Sequence, residues 1–145
     1  MLKTKIFTTT LLISLLSTIV SADAITKDDL SDLNGNWHLR ALDGHEVRKA
    51  RAILDVHGEQ MIINGFDGCN SIYGVLTAHN KTTFSATLTS TRMACRQSIH
   101  RYVSKRLHET VQEGFTITEG KRYGVEGITL KSKNHDLFFK KMEMK

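Results

Sequence analysis

The chain has 145 residues, 24% charged and 40% hydrophobic, with a formal net charge of +5. This length suits one domain with a limited core. The positive excess, to which Lys3 and Lys5 contribute, permits weak attraction to anionic envelope surfaces but does not point to nucleic acid.

Lys3 and Lys5 precede an uncharged run from Ile6 to Val20, which ends in the small residues Val20-Ser21-Ala22. This is the pattern of a secretory signal peptide. The run is shorter than the roughly 20 apolar residues that span a bilayer, and it contains Thr and Ser. Residues 1–22 are therefore read as a signal peptide and 23–145 as the mature domain, with Ala22-Asp23-Ala24 as an alternative cleavage site. No cysteine lies near either site, so a lipoprotein anchor is not expected. The expected product is a soluble periplasmic or secreted monomer without a transmembrane segment.

Ala24 to Leu33 is a polar, acidic lead-in, either a short helix or loose chain. Ten glycines and no proline then punctuate short apolar segments, the spacing of a chain of short strands. Period-2 alternation predicts a strand at Asn36–Leu42, with Trp37, Leu39 and Ala41 on one face. Ala52–Val56 and Gln60–Asn64 read as a hairpin. Ser71–Thr77 places Ile72, Gly74 and Leu76 opposite Tyr73 and Val75. Thr82–Leu88 follows, then a short strand at Phe115–Thr118, and Gly127–Lys131 with Asp136–Lys140 as a final hairpin.

One segment breaks this pattern. Ile99, Tyr102, Val103, Leu107 and Val111 form a single stripe at helical spacing, predicting a helix over Ser98–Gln112 that Gly114 ends. The fold class is α+β, mainly antiparallel β: a small barrel-like sheet with one amphipathic helix packed on it.

Three motifs stand out: Gly35-Asn36-Trp37-His38-Leu39; Gly68-Cys69-Asn70 with Tyr73 and Gly74; and Thr91-Arg92-Met93-Ala94-Cys95. Together they resemble the META domain family (HslJ-like) along nearly the whole mature chain. The matching motif positions are Gly35, Trp37, Gly68, Asn70, Tyr73, Gly74, Thr91 and Met93. The resemblance implies a compact barrel-like β-structure with a packed helix. It also implies kinship with heat-shock-associated envelope proteins linked to novobiocin tolerance, and with secreted proteins linked to motility and virulence. No shared reaction defines the family, so an enzyme is not expected. The chain departs from the family in having no loop prolines, and in offering Gln97, His100 or Arg101 where an acidic residue often stands early in the helix.

Cys69 and Cys95 are the only cysteines. In an exported chain they read first as a disulfide, closing a loop of roughly 27 residues worth about 3.5 kcal/mol in the chain-entropy model. Metal or redox thiols, or a reduced buried pair, are the alternatives. No Cys-x-x-Cys is present, and no His lies at short ligand spacing from either cysteine.

The seven histidines are dispersed and read as surface residues, although His100 and His108 lie two helical turns apart and share a face. No metal or cofactor is expected. Asp67 and Asn70 read as turn formers, with a polar recognition loop at a barrel mouth as the alternative; Asn80-Lys81-Thr82 reads as a turn, and Thr91 as the cap of a turn leading to the helix. Tyr73, Tyr102, Phe115, Phe138 and Phe139 are candidates to line a small cavity, against an interior filled by side chains. The functional expectation is a non-enzymatic envelope protein, related to stress or antibiotic tolerance, acting on an unknown envelope protein or surface. The alternative is a small-molecule or peptide binder using a barrel end.

Overall fold

The computed structural model describes residues 23–95 and 97–143. The predicted signal peptide lies outside the described residues. The acidic lead-in forms a 3-10 helix, Lys27–Leu33, which buries Leu30 and Leu33. Strands follow at β1 (Gly35–Leu42), β2 (His45–Glu46), β3 (Ile53–His57), β4 (Ile62–Phe66), β5 (Ser71–Val75), β6 (Thr77–Ala78), β7 (Phe84–Ser85) and β8 (Thr89–Ser90). A short 3-10 turn, Arg48–Ala50, lies between β2 and β3. The helix α1 (Ser98–Glu113) precedes β9 (Thr116–Arg122), β10 (Val125–Lys131) and β11 (Asp136–Lys141).

One antiparallel sheet runs in the order β8-β5-β4-β3-β1-β11-β10-β9, with β2 paired to β1. The first and last long strands are neighbours in its middle, Leu39 opposite Phe139, so both ends of the domain meet there. The sheet is open, so the expected barrel-like form does not close. The β6-β7 hairpin lies across the gap: Phe84 pairs with Phe115 ahead of β9, and the Ala86 N–H donates to the Val111 carbonyl at 3.0 Å. That bond satisfies a carbonyl which the end of α1 would otherwise leave open. The predicted strand Thr82–Leu88 shortens to Phe84–Ser85, because its outer parts bond to the helix end and to turns instead of a neighbouring strand.

The concave face holds the core. Alternation along β1 turns Trp37 and Leu39 into it, but the bulge between Leu39 and Ala41 sends Ala41 to the other face, opposite Phe138, and puts Leu42 in the core, which corrects the expected face of Trp37, Leu39 and Ala41. The Trp37 indole N–H donates to the Leu33 carbonyl at 2.8 Å. That buried bond fixes the lead-in against the sheet. From the helix come Val103, Leu107 and Val111, with Ile99 and Tyr102 at the margin, as the stripe predicts. Thr110 is also buried, and its hydroxyl donates to the Arg106 carbonyl at 2.7 Å, so burial leaves no unpaired donor.

His135, in the β10–β11 turn, clasps the far end of the helix. Its Nδ1 donates to Asp43 between β1 and β2 at 2.9 Å, and its Nε2 donates to Glu109 of α1 at 2.8 Å. Burial opposes protonation of this imidazole, but the hydrogen bonds to the two carboxylates, and then their charges, outweigh it and raise its pKa.

Two predictions follow from this packing. Leu107→Ala is expected to cost about 2 to 5 kcal/mol, and Arg101→Ala, at an exposed site, under about 0.5 kcal/mol. Chemical denaturation checks both, and equal effects would mean a wrong helical register. The His135 clasp adds stability fully below the unfolded histidine pKa of about 6.5, and this is lost as pH rises through the higher folded value. Denaturation between mildly acid and mildly alkaline pH is expected to show that decline in the native chain. The decline is expected to be absent in His135→Gln.

Candidate functional site

Two of the three sequence motifs, Gly68–Gly74 and Thr91–Cys95, meet beside the β5-β8 edge and the start of α1. After β4 the chain turns at Asp67-Gly68-Cys69-Asn70, where Gly68 takes φ 98°, a left-handed conformation that glycine adopts without steric penalty. Asp67 is 1% exposed, and its carboxylate receives four hydrogen bonds. Oδ1 accepts the Cys69 and Asn70 backbone N–H groups at 2.7 and 2.6 Å. Oδ2 accepts the Ser104 hydroxyl at 2.9 Å and His108 Nε2 at 2.7 Å, both from α1. Burial by itself would raise the Asp67 pKa. The bonds from His108, Asn70, Cys69 and Ser104 outweigh it and hold the carboxyl below its usual range. His100 adds a bond from Nδ1 to the Gly68 carbonyl at 2.6 Å.

The shared face of His100 and His108 is therefore real, and it docks the helix on the turn. This corrects the reading of these two histidines as surface residues. Asp67 is legible in the sequence as a turn former, but its second role, and the part played by Ser104, are not. Three residues at helical spacing, His100, Ser104 and His108, were the available signal.

Asn70 joins the second and third motifs. Its Oδ1 accepts the Met93 backbone N–H at 2.6 Å and the Thr91 hydroxyl at 3.0 Å, and its Nδ2 donates to the Met93 carbonyl at 3.4 Å. The side-chain amide pairs with Met93 as a neighbouring strand would. A carboxylate lacks the donor for this pairing. Thr91 Oγ1 also accepts the Ser71 N–H at 3.2 Å, so Thr91 staples β5 and does not cap the helix. The residue preceding α1 is Gln97, whose side chain makes no capping bond.

Cys69 and Cys95 lie beside this network with Cα atoms 5.3 Å apart and sulfurs in contact, so the pair is disulfide-capable. Gly74 of β5 faces inward, where an added Cβ would stand 2.9 Å from Leu88 Cδ2 and 3.2 Å from the Thr87 carbonyl oxygen. The close passage of residues 86–88 across β5 accounts for the glycine. Gly35 and Trp37 sit away from this cluster, at the start of β1.

Asn70, Thr91 and the cysteine pair together latch the segment before α1 to β5, and this latch leaves apolar side chains exposed beside it. Tyr73 is 47%, Val75 56% and Met93 69% exposed. The five aromatics proposed to line a cavity do not surround one. Phe115 and Phe139 are in the core, Tyr73 is exposed, Tyr102 lies 3.7 Å beneath the Arg106 guanidinium, and Phe138 is on the other face of β11. Asn80 accepts the Thr82 and Thr83 N–H groups at 2.9 and 2.8 Å, the turn expected there. Among the described residues, no three His, Cys, Asp or Glu side chains group as a metal site, and no helix is long and apolar enough to cross a membrane.

For the latch, the Cys69→Ser/Cys95→Ser double variant is expected to lose about 2 to 5 kcal/mol of stability if the pair is bonded. Thiol labelling of unreduced, denatured protein checks the bond directly. Two free thiols in an oxidised preparation would exclude it.

Comparison with known proteins agrees with this architecture. Two solved structures share the fold. One is described as the NMR structure of a protein from Burkholderia xenovorans, with a TM-score of 0.63 at 23% identity over 88% of this chain and 96% of that one. The other is also an NMR structure, with a TM-score of 0.59 at 23% identity over 80% of this chain and 94% of that one. No curated protein matches the chain. The model of the META domain matches residues 28–143, and the chain belongs to the META domain family.

Proposed function

We propose that this chain is an exported, non-enzymatic envelope protein that acts by presenting the surface beside the latch to another envelope component. One observation carries this reading: the polar atoms of the Asp67, Asn70 and Thr91 side chains are engaged with one another and with the backbone, while Tyr73, Val75 and Met93 are exposed. Groups held this way maintain shape. The exposed apolar side chains are available for contact.

Export is supported by the charged start, the short apolar run and the small residues before Asp23, together with a cysteine pair placed for oxidation. A role in stress or antibiotic tolerance follows from family resemblance. The second reading, a small-molecule or peptide binder using a barrel end, draws on a separate niche lined by Ala41, Tyr123 and Val125.

The mature protein recovered from envelope extract is expected to have the mass of a chain beginning at Asp23. Retention of residues 1–22 would refute export by cleavage. A photo-crosslinking residue at position 73 is expected to yield a discrete protein adduct that Val75→Lys or Met93→Lys removes. The same group at Lys121, exposed on β9, is expected to yield none. Indistinguishable adducts from both positions would overturn the surface reading.

A further inference from the structure

The convex face carries a second apolar feature, separate from the latch. Phe138 is fully buried yet lies outside the main core, on the opposite face of β11 from Leu137 and Phe139. Tyr123 covers it, with ring centroids 5.6 Å apart. Two tight turns frame this spot: Asp43-Gly44, joining β1 to β2, and Tyr123-Gly124, joining β9 to β10. In both, the two central residues have positive φ. Tyr123 takes φ 53°, an uncommon conformation for a bulky aromatic residue. A niche of about 340 Å³ opens here, its lining including Ala41, Val125, Phe138 and Tyr123, with Arg40, Glu46 and Arg48 at its polar side.

The charges around it are unequal. Arg48 pairs with Glu46, and Arg122, which lies 5.2 and 5.6 Å from the Tyr123 and Phe138 rings, pairs with Asp136. Arg40 has no carboxylate partner among the described residues, and its Nε is buried without a hydrogen-bond partner. The Arg40 guanidinium lining the niche thus carries an uncompensated charge, and an anion in the niche would pair with it. The neighbouring His38 reports the same field. Burial first, then the charge of Arg40, lowers its pKa, against an opposing hydrogen bond with the Arg48 backbone; the Arg48 and Glu46 charges act in opposite directions.

We propose that this niche binds a small organic anion, with its flat apolar body against Tyr123, Ala41 and Val125 and its carboxylate on Arg40. The apolar walls would contribute burial and ring contacts. The guanidinium would contribute a charge-assisted hydrogen bond that also sets the ligand's orientation.

Benzoate is the probe, titrated into isotope-labelled protein and followed by the Arg40 Nε–H signal and the Gly44 and Val125 amides. Saturable shifts at these three positions are expected. The neutral benzamide is expected to bind at least roughly tenfold more weakly, as loss of a charge-assisted hydrogen bond implies. Arg40→Gln is expected to remove that difference. Tyr123→Asn keeps a residue suited to the turn while deleting the ring, and is expected to weaken both compounds.

Acetate binding as tightly as benzoate would remove the apolar half of the proposal. Benzoate binding unchanged by Arg40→Gln, or no saturable shift at the niche, would overturn it. N-acetylphenylalanine carries a ring and a carboxylate on a peptide unit. Its tighter binding would assign the niche to a peptide C-terminus and refute the small-anion assignment.

Discussion

A single buried carboxylate organises the helix against the sheet. Asp67 is placed at the end of β4, and its two oxygens serve different parts of the structure. One closes the turn that carries Cys69 and Asn70, and the other receives Ser104 and His108 from the helix. A buried carboxylate is tolerated only when its lone pairs are satisfied. Here the donors are a backbone turn and a helix face, so satisfying the charge requires both to be in place. Turn shape and helix position are thereby coupled.

The family motifs gain a physical meaning from this arrangement. Asn70 supplies both a donor and an acceptor to Met93, a pairing for which a carboxylate lacks the donor. Thr91 bridges Asn70 to β5, and the cysteine pair lies alongside. Met93 takes part through its backbone, which leaves its side chain exposed. The motif therefore ties the segment leading into α1 to the edge of the sheet. At the opposite end of the helix, His135 links Glu109 to Asp43 and holds two turns together.

The two faces of the sheet are built differently. The concave face is filled by one continuous cluster that includes Leu39, Leu107, Ile128 and Phe139. The convex face buries Phe138 locally, under Tyr123 and Arg122, at the edge of a niche. The bulge in β1 between Leu39 and Ala41, where the register with β11 shifts, accompanies this second buried site.

Much of the fold was legible in the sequence, because alternation and helical spacing are local signals. The period-2 pattern identified β1, β3, β5 and β11 nearly in register, and the stripe Val103, Leu107, Val111 identified the helix and its buried face. The motifs identified the family, and two cysteines were enough to suggest a pair. What tertiary structure decided was which local signals meet. Asp67 and Asn80 look alike as turn residues, yet only Asp67 faces the helix. Thr91 looked like a cap until β5 proved to lie beside it. Phe138 and Phe139 are adjacent in sequence, and alternation sends them to opposite faces, one into the core and one beneath Tyr123. Whether the sheet closes also depends on long-range packing, because strand periodicity assigns a residue to a face without saying which edges meet. Partners separated by tens of residues leave no periodic trace in the chain, and only folding brings them within hydrogen-bond distance.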